Sequence, residues 1–275
     1  MTKTHLATDQ IGTIAIIEIP PGTKSTAAKQ IANEILASNK HIETVCAKQG
    51  AMHGVYRVWK LKHLAGKKTT KTTYRENNCT FELDAAKVYF SPRLAFERQR
   101  IAQEVKNGEK ILVLFAGVAP FSIIIAKTLK AKHETAHIIS NELNPAAVKY
   151  AVKNITANKV SEMVTSVKGD AAKILKKYPR WANRIVMPLP HSAIDFLPQV
   201  IDAAAPGCIV HFYGFGPHRS EKTKRKTNPF RELENKIKKE CKKKKRKCKI
   251  VFKRIVRPYS PFSVQVVIDF KIDKT

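Results

Sequence analysis

Two segments carry residue types spaced to hold a nucleoside. Ile111-Leu-Val-Leu-Phe-Ala-Gly-Val-Ala-Pro-Phe-Ser-Ile123 is an apolar run that breaks at Ala116-Gly117 and resumes with a helix-like pattern. Ile138-Ile-Ser-Asn-Glu-Leu-Asn-Pro145 is a second apolar run, ending in Glu142. This is the strand–turn–helix–strand–acid order of a nucleotide-binding βαβ unit. The small residue lets backbone approach a ligand, and a carboxylate about 20 residues on can accept from both hydroxyls of a ribose. A dinucleotide site would ask for a three-glycine turn, whereas Gly117 stands alone between Phe115 and Pro120. That favours S-adenosylmethionine, which has no pyrophosphate needing bare backbone. A buried βαβ unit without a ligand would show the same order, so the neighbouring segments must decide.

Charge bounds the partner. Lys and Arg number 51 against 22 Asp and Glu, giving +29 at neutral pH over 275 residues. Such an excess points to a polyanion, because neutralised phosphates release counterions. A solubilising Lys-rich surface is the plainer reading. The densest stretch, residues 236–249, holds ten Lys or Arg; a solvated helix face and a nucleic-acid contact both fit it. The apolar runs are strand-sized, and Ile14-Ala-Ile-Ile17 is cut off by Glu18, so neither a spanning helix nor a signal peptide is expected. Five cysteines (46, 79, 208, 241 and 248) lack metal-site spacing, and no metal is expected. Scattered thiols in odd number suit a reducing cytoplasm.

The elements fall into three blocks. Residues 11–19 read as one strand closed by Pro20-Pro21-Gly22, residues 24–38 have helical spacing, and residues 41–47, 55–62 and 79–83 read as short strands. Residues 1–84 are thus an expected small α+β domain, and residues 85–108 a connector dense in polar, charged and aromatic side chains. In residues 109–275, strands near 111–115, 136–140, 163–168, 184–188, 207–213, 248–256 and 263–271 alternate with helical patterns until the last two, which adjoin. That predicts a seven-stranded α/β sheet, a doubly wound fold of methyltransferase type.

The connector, Val88-Tyr-Phe-Ser-Pro-Arg-Leu-Ala-Phe-Glu-Arg-Gln-Arg100, resembles a segment of the archaeal and eukaryotic tRNA (guanine-37-N1)-methyltransferases. Its companions stand in order: Gly54-Val-Tyr-Arg57, Leu64-Ala-Gly66 before a Thr-rich stretch, Phe115-Ala-Gly-Val118, Asn141-Glu-Leu-Asn-Pro145 and Arg184-Ile-Val-Met-Pro-Leu-Pro190. The resemblance runs from about residue 8 to the C-terminus and implies a class I (Rossmann-like) S-adenosylmethionine methyltransferase domain behind a small N-terminal domain. Family members often carry one more small N-terminal domain, which this chain is expected to lack. The implied partner is tRNA, bound at position 37 by a monomer. The other class of function, a basic RNA-binding relative without catalysis, is disfavoured by the intact Arg57, Glu97, Glu142 and Asp170.

Carried onto these residues, the resemblance implies specific roles. Guanine N1 is protonated at neutral pH, so a base must take its proton while positive charge holds the oxygen. Glu97 and Arg57 stand at those positions, with Tyr89 placing the base. Arg98 would face the methionine carboxylate or hold Glu97, the two side chains diverging if a helix begins at Ala95. Phe115, Gly117 and Val118 would pack on the methionine half, Glu142 would bind the ribose, and Asp170 would accept from the adenine amino group. Leu143, Ala171 and Pro190 are the adjoining cofactor positions. Without the resemblance, Glu97 reads as an ion-pair partner of Arg93, Arg98 or Arg100, and Asp170 as a helix N-cap.

Two features depart from the pattern near the cofactor: Val113-Leu114 where an acid usually precedes Phe, and Ala119 for a usual Gly. A third concerns the base. Pro188 stands where many members have an Asn able to bond the guanine edge, and proline offers no such amide. The Pro-Leu-Pro form resembles an archaeal branch of wyosine formation, which methylates guanosine-37 of phenylalanine tRNA, a carbon of the tricyclic imidazoguanosine made from it, or both.

Overall fold

The computed structural model describes residues 7–219 and 225–273. The N-terminal part comprises β1 (Thr8–Ile11), β2 (Ile14–Ile17), α1 (Ser25–Ser38), β3 (Thr44–His53) and β4 (Val58–Gly66), followed by a hairpin of β5 (Lys71–Glu76) and β6 (Cys79–Asp84). A 3-10 turn at Pro92–Leu94 leads into α2 (Ala95–Glu104). Then come β7 (Glu109–Val113), α3 (Pro120–Ala131), β8 (Ala136–Glu142), α4 (Pro145–Ala157), β9 (Val164–Lys168), α5 (Ala171–Leu175) and β10 (Ala182–Met187). The chain closes with α6 (Leu197–Ala203), β11 (Ala204–Pro217), α7 (Arg231–Lys243), β12 (Cys248–Ser260) and β13 (Ser263–Ile272).

Seven strands form one sheet in the order β12-β13-β11-β10-β7-β8-β9. It is parallel from β11 to β9 and antiparallel on both sides of β13. Alternation along the strands sorts the core: Ile111 and Val113 face α2, α3 and α4, while Leu112 and Leu114 face α5, α6 and α7. From β7 the chain winds to β8 and β9 on one side and to β10 and β11 on the other, which opens a crevice at the carboxyl ends of these strands. The doubly wound α/β architecture expected from the sequence is the one observed.

The first block departs from expectation in several places, and the strand expected over residues 55–62 begins only at Val58, after a turn at residues 54–57. Residues 11–19 do not form one strand, because Gly12 adopts a left-handed φ of 55° and turns β1 back onto β2. A side chain there would overlap Thr72 and Thr73 of β5. The Thr-rich stretch, not read as a strand, is β5, with exposed and half-buried positions in alternation. The β1–β4 sheet carries α1 over a small core of its own, including Ile17, Ala32 and Val45.

The β5–β6 hairpin packs into the large core through Cys79, Phe81 and Leu83. Its outer edge is closed by a helix. Asn158 of the α4 cap accepts from Thr80 N at 2.9 Å and donates to Thr80 O at 2.7 Å. One turn earlier Asn154 accepts from Glu82 N at 2.8 Å and donates to Glu82 O at 3.0 Å. Two carboxamides thus replace a neighbouring strand and satisfy backbone groups that an edge leaves open.

Candidate active site

The crevice is built from turns that follow parallel strands. After β7, Phe115, Gly117 and Ala119 all take left-handed φ, at 52°, 58° and 66°. The strained Ala119 precedes Pro120, the first helical residue of α3. Glu142 ends β8 and ties two turns together: Gly117 N donates to Oε2 at 2.7 Å and Asn144 N donates to Oε1 at 2.8 Å. Each oxygen keeps a second lone pair for a ligand. After β9, Asp170 Oδ1 accepts from Lys173 N at 3.1 Å, so the residue caps α5 while lining the crevice.

These turns open into one cavity of about 260 Å³. Its acidic half, at the ends of β7, β8 and β9, holds Gly117, Glu142, Asp170 and the small Ala147 and Ala171, with the Tyr89 carbonyl beside Gly117. Its other half, from β10 to β12, holds Pro188, His191, Arg257 and Tyr259, with Arg57 close enough to His191 for its charge to be felt there. Arg57 arrives from the β3–β4 hairpin, where it closes a tight turn with left-handed φ of 51° and donates its N–H to Gly54 O at 3.2 Å. Burial, and then the positive charge of Arg57, hold the His191 imidazole below its ordinary pKa. The ring is therefore neutral at pH 7. Two carboxylates beside bare backbone suit a hydroxyl-bearing ligand without phosphates, and the basic, aromatic half suits an anionic polymer with flat rings. S-adenosylmethionine fits the acidic half by this donor set.

Of the residues singled out from the sequence, Arg57, Tyr89, Phe115, Gly117, Glu142, Leu143, Asp170, Ala171, Pro188 and Pro190 line this cavity. Three others do not. Val118 is fully buried in the core against α3. Arg98 forms a two-pronged ion pair with Glu76 of β5 and donates to Ser91 O at 3.2 Å, with its side chain 2 % exposed. It therefore faces neither a cofactor carboxylate nor Glu97.

Glu97 is 1 % exposed, on the inner face of α2. Its Oε2 accepts from Tyr213 and from Arg100, at 2.8 and 3.0 Å, and its Oε1 from Arg254 at 3.1 Å. Arg98 and Glu97 do diverge, as a helix from Ala95 requires, but neither reaches the cavity. Glu97 lies behind the wall: Tyr213 is two residues along β11 from Phe215, which lines it. In this conformation the carboxylate is a structural anchor, and it touches base N1 only by leaving its three partners.

Several lining residues carried no sequence signal. His191, Phe215, Arg257 and Tyr259 come from the loop after β10, from the end of β11 and from the end of β12. His191 adjoins the Pro-Leu-Pro motif, the one local cue. Phe215 lies far in sequence from Arg257 and Tyr259, and the antiparallel pairing of β13 between β11 and β12 brings them together.

Comparison with known proteins places this geometry. The TRM5/TYW2 methyltransferase domain matches residues 72–251, and the TYW2 N-terminal domain matches residues 8–69. The tRNA (guanine(37)-N(1))-methyltransferase Trm5b of Pyrococcus abyssi is 39% identical over 264 residues, spanning 96% of this chain and 74% of that protein. The tRNA 4-demethylwyosine(37)-methyltransferase Taw21 of Saccharolobus solfataricus is 34% identical over 261 residues, spanning 95% and 92%. The solved structure of Methanocaldococcus jannaschii Trm5 in complex with adenosine superimposes with a TM-score of 0.80 at 30% identity, covering 98% of this chain and 74% of that one. With matches across both parts of the molecule, the chain belongs to the TRM5/TYW2 methyltransferase family.

Proposed function

We propose that this protein transfers a methyl group from S-adenosylmethionine to the nucleotide at position 37 of phenylalanine tRNA. The acceptor is N1 of guanosine, C7 of the imidazoguanosine intermediate of wyosine formation, or both. The observation that carries this reading is the two-sided cavity, with Glu142 and Asp170 at one end and Arg57 and Pro188 at the other. Relatives named for each of the two reactions resemble the chain over nearly its whole length.

S-adenosylmethionine supplies an electrophilic methyl group on a sulfonium. Glu142 holds the ribose hydroxyls and Asp170 the adenine amino group, with Gly117, Leu143 and Ala171 walling the cofactor half. In the other half, Arg57 places positive charge where guanine O6 becomes anionic as N1 gives up its proton. The neutral His191 is the lining imidazole able to receive that proton at pH 7. Carbon methylation needs no such step before attack, because the π system of the ring is the nucleophile and its proton leaves afterwards. Pro188 leaves the wall apolar, which suits the flatter tricycle. We read the enzyme as a monomer that works in the cytoplasm; among the described residues no helix is long and apolar enough to cross a membrane.

The test is mass spectrometry of nucleotide 37 after incubation of the protein and S-adenosylmethionine with phenylalanine tRNA bearing either precursor. A new methyl on at least one of them is expected. Neither being modified, with cofactor bound, would rule the reaction out.

A further inference from the structure

At 49 % exposure, Tyr259 carries the most open phenylalanine or tyrosine ring on the cavity wall. The ring is nevertheless fixed. One side lies on Phe215, with ring centroids 4.1 Å apart and planes 36° apart. Its rim meets the His191 ring edge-on at 5.7 Å, and its hydroxyl stands 3.5 Å from His191 Nε2. His191 in turn packs on Phe215 at 4.5 Å, so the three rings brace one another from three segments of chain. Phe215 thus covers one face of the tyrosine and His191 meets its rim, while the residue itself lines the cavity.

We propose that the free face of Tyr259 is the stacking platform for the flipped target base, in the sequence Phe215, Tyr259, base. Three observations converge on a nucleobase. The platform is aromatic and rigid, so little side-chain entropy is lost on stacking. Arg57 and Arg257 line the same half of the cavity, where they meet the phosphates or the carbonyl edge of a nucleotide. The carboxylates lie in the other half, so the purine-like ligand of Glu142 and Asp170 and the ring on Tyr259 occupy separate ends. Stacking is tolerant of ring size, because every base has a π face. The platform therefore admits guanine and a fused tricycle alike, while the polar edge contacts discriminate. Pinning by His191 also links the platform to the loop bearing Pro188 and Pro190. This inference rests on the proposed function only for the identity of the RNA.

The experiment places 5-iodouridine at position 37 of full-length phenylalanine tRNA, irradiates its complex with the intact protein and maps the adduct by peptide mass spectrometry. An adduct on Tyr259 is expected. Tyr259→Phe keeps the platform and should retain crosslinking and methylation within about threefold. Tyr259→Leu should lose the adduct and slow single-turnover methylation by about 10- to 100-fold, the loss typical of one stacked base. Its S-adenosylmethionine affinity should stay unchanged, which separates stacking from misfolding. An adduct confined to Tyr56 or Tyr89, or a Tyr259→Leu variant that methylates at the normal rate, overturns the proposal. An adduct on Tyr259 without methylation of either precursor leaves the platform standing and removes the reaction; normal methylation with no Tyr259 adduct does the reverse.

Discussion

The hydroxyl of Tyr213 donates to Oε2 of Glu97 at 2.8 Å, between side chains that are both closed to solvent. The pair begins a buried chain of charges. Arg100 bridges Glu97 to Asp269, Asp269 meets His211 Nδ1 at 2.9 Å, and Arg184 reaches from His211 to Glu109. It ties α2 to β13, β11, β10 and β7 beneath the cavity. Burial, and then the adjacent Glu97 carboxylate, push the Tyr213 hydroxyl well above its ordinary pKa, so it remains a donor at all working pH values.

Glu97→Ala leaves Arg100 and Tyr213 buried without this acceptor, and breaking a buried pair costs about 3–5 kcal/mol. The stability loss should be visible in denaturant unfolding. Methylation of guanosine and of the tricycle should fall together, because Phe215, Arg257 and Tyr259 stand on the strands that Glu97 anchors. Tyr213→Phe should cost less, about 1–3 kcal/mol, by removing one bond to a charged group. A Glu97→Ala protein of normal stability that loses only nitrogen methylation would show instead that the carboxylate moves into the cavity and acts as the base.

Glu142→Ala removes the acceptor of Gly117 N and Asn144 N as well as that of a ribose. Cofactor affinity should weaken by about 1–3 kcal/mol, measured by calorimetry. Binding of tRNA should stay nearly constant, since Arg57 and Arg257 lie in the other half. Glu142→Gln should recover part of the loss because its amide oxygen still accepts from one N–H. Unchanged cofactor affinity in the alanine variant would move the ribose elsewhere.

Asn154→Ala and Asn158→Ala each uncap one residue of β6, leaving an N–H and a C=O half-buried without their partners. Each should cost about 1–3 kcal/mol. The protection of Thr80 and Glu82 amides in hydrogen exchange should drop locally, and an edge that exchanges no faster in these variants would show that the carboxamides contribute little.

The strands and the doubly wound order were legible in the sequence because period and length encode them locally: Ile111 to Val113 can hardly be anything but a buried strand. The turns that line the cavity were legible for the same reason, as Glu142 ends a strand and Gly117 and Asp170 each follow one within a few residues. What stayed hidden was non-local. Gly12 gave no sign that β5 would press against it, and nothing beside Asn154 or Asn158 in the sequence shows that β6 will lie against them. Glu97 illustrates the same limit at the site. Its partners Tyr213 and Arg254 lie more than a hundred residues away, so its neighbours in sequence could not reveal which way it faces.

Asp269 gives a pH signature. Burial alone would raise its pKa, but His211 and then Arg100 hold it below the ordinary carboxylate value. A depressed folded-state pKa contributes stability that is present above the unfolded value of about 3.9 and is lost as pH falls through the folded one. Asp269→Asn should therefore be less stable than the parent at pH 7, by about 3–5 kcal/mol as for a broken buried pair. The gap should narrow below about pH 4, where the parent loses the same charge. Thermal unfolding of both proteins across pH 3–8 measures it, and a gap independent of pH would mean packing rather than charge is lost.

Pro188 follows the fully buried end of β10 and lines the half of the cavity that holds Arg57 and Tyr259. Proline offers no N–H and no side-chain amide there, so discrimination on that side comes from shape. Pro188→Asn introduces a carboxamide that can bond the Watson–Crick edge of guanine, the edge a tricycle has built over. The substitution should shift the ratio of rates toward guanosine, by about the 10-fold that one neutral hydrogen bond represents. The comparison uses single-turnover rates on tRNA carrying each precursor, so cofactor binding cancels from the ratio. A variant that slows both reactions by the same factor would show that Pro188 serves to stiffen the loop carrying Pro190 and His191, and that its lack of an amide plays no part in choosing the base.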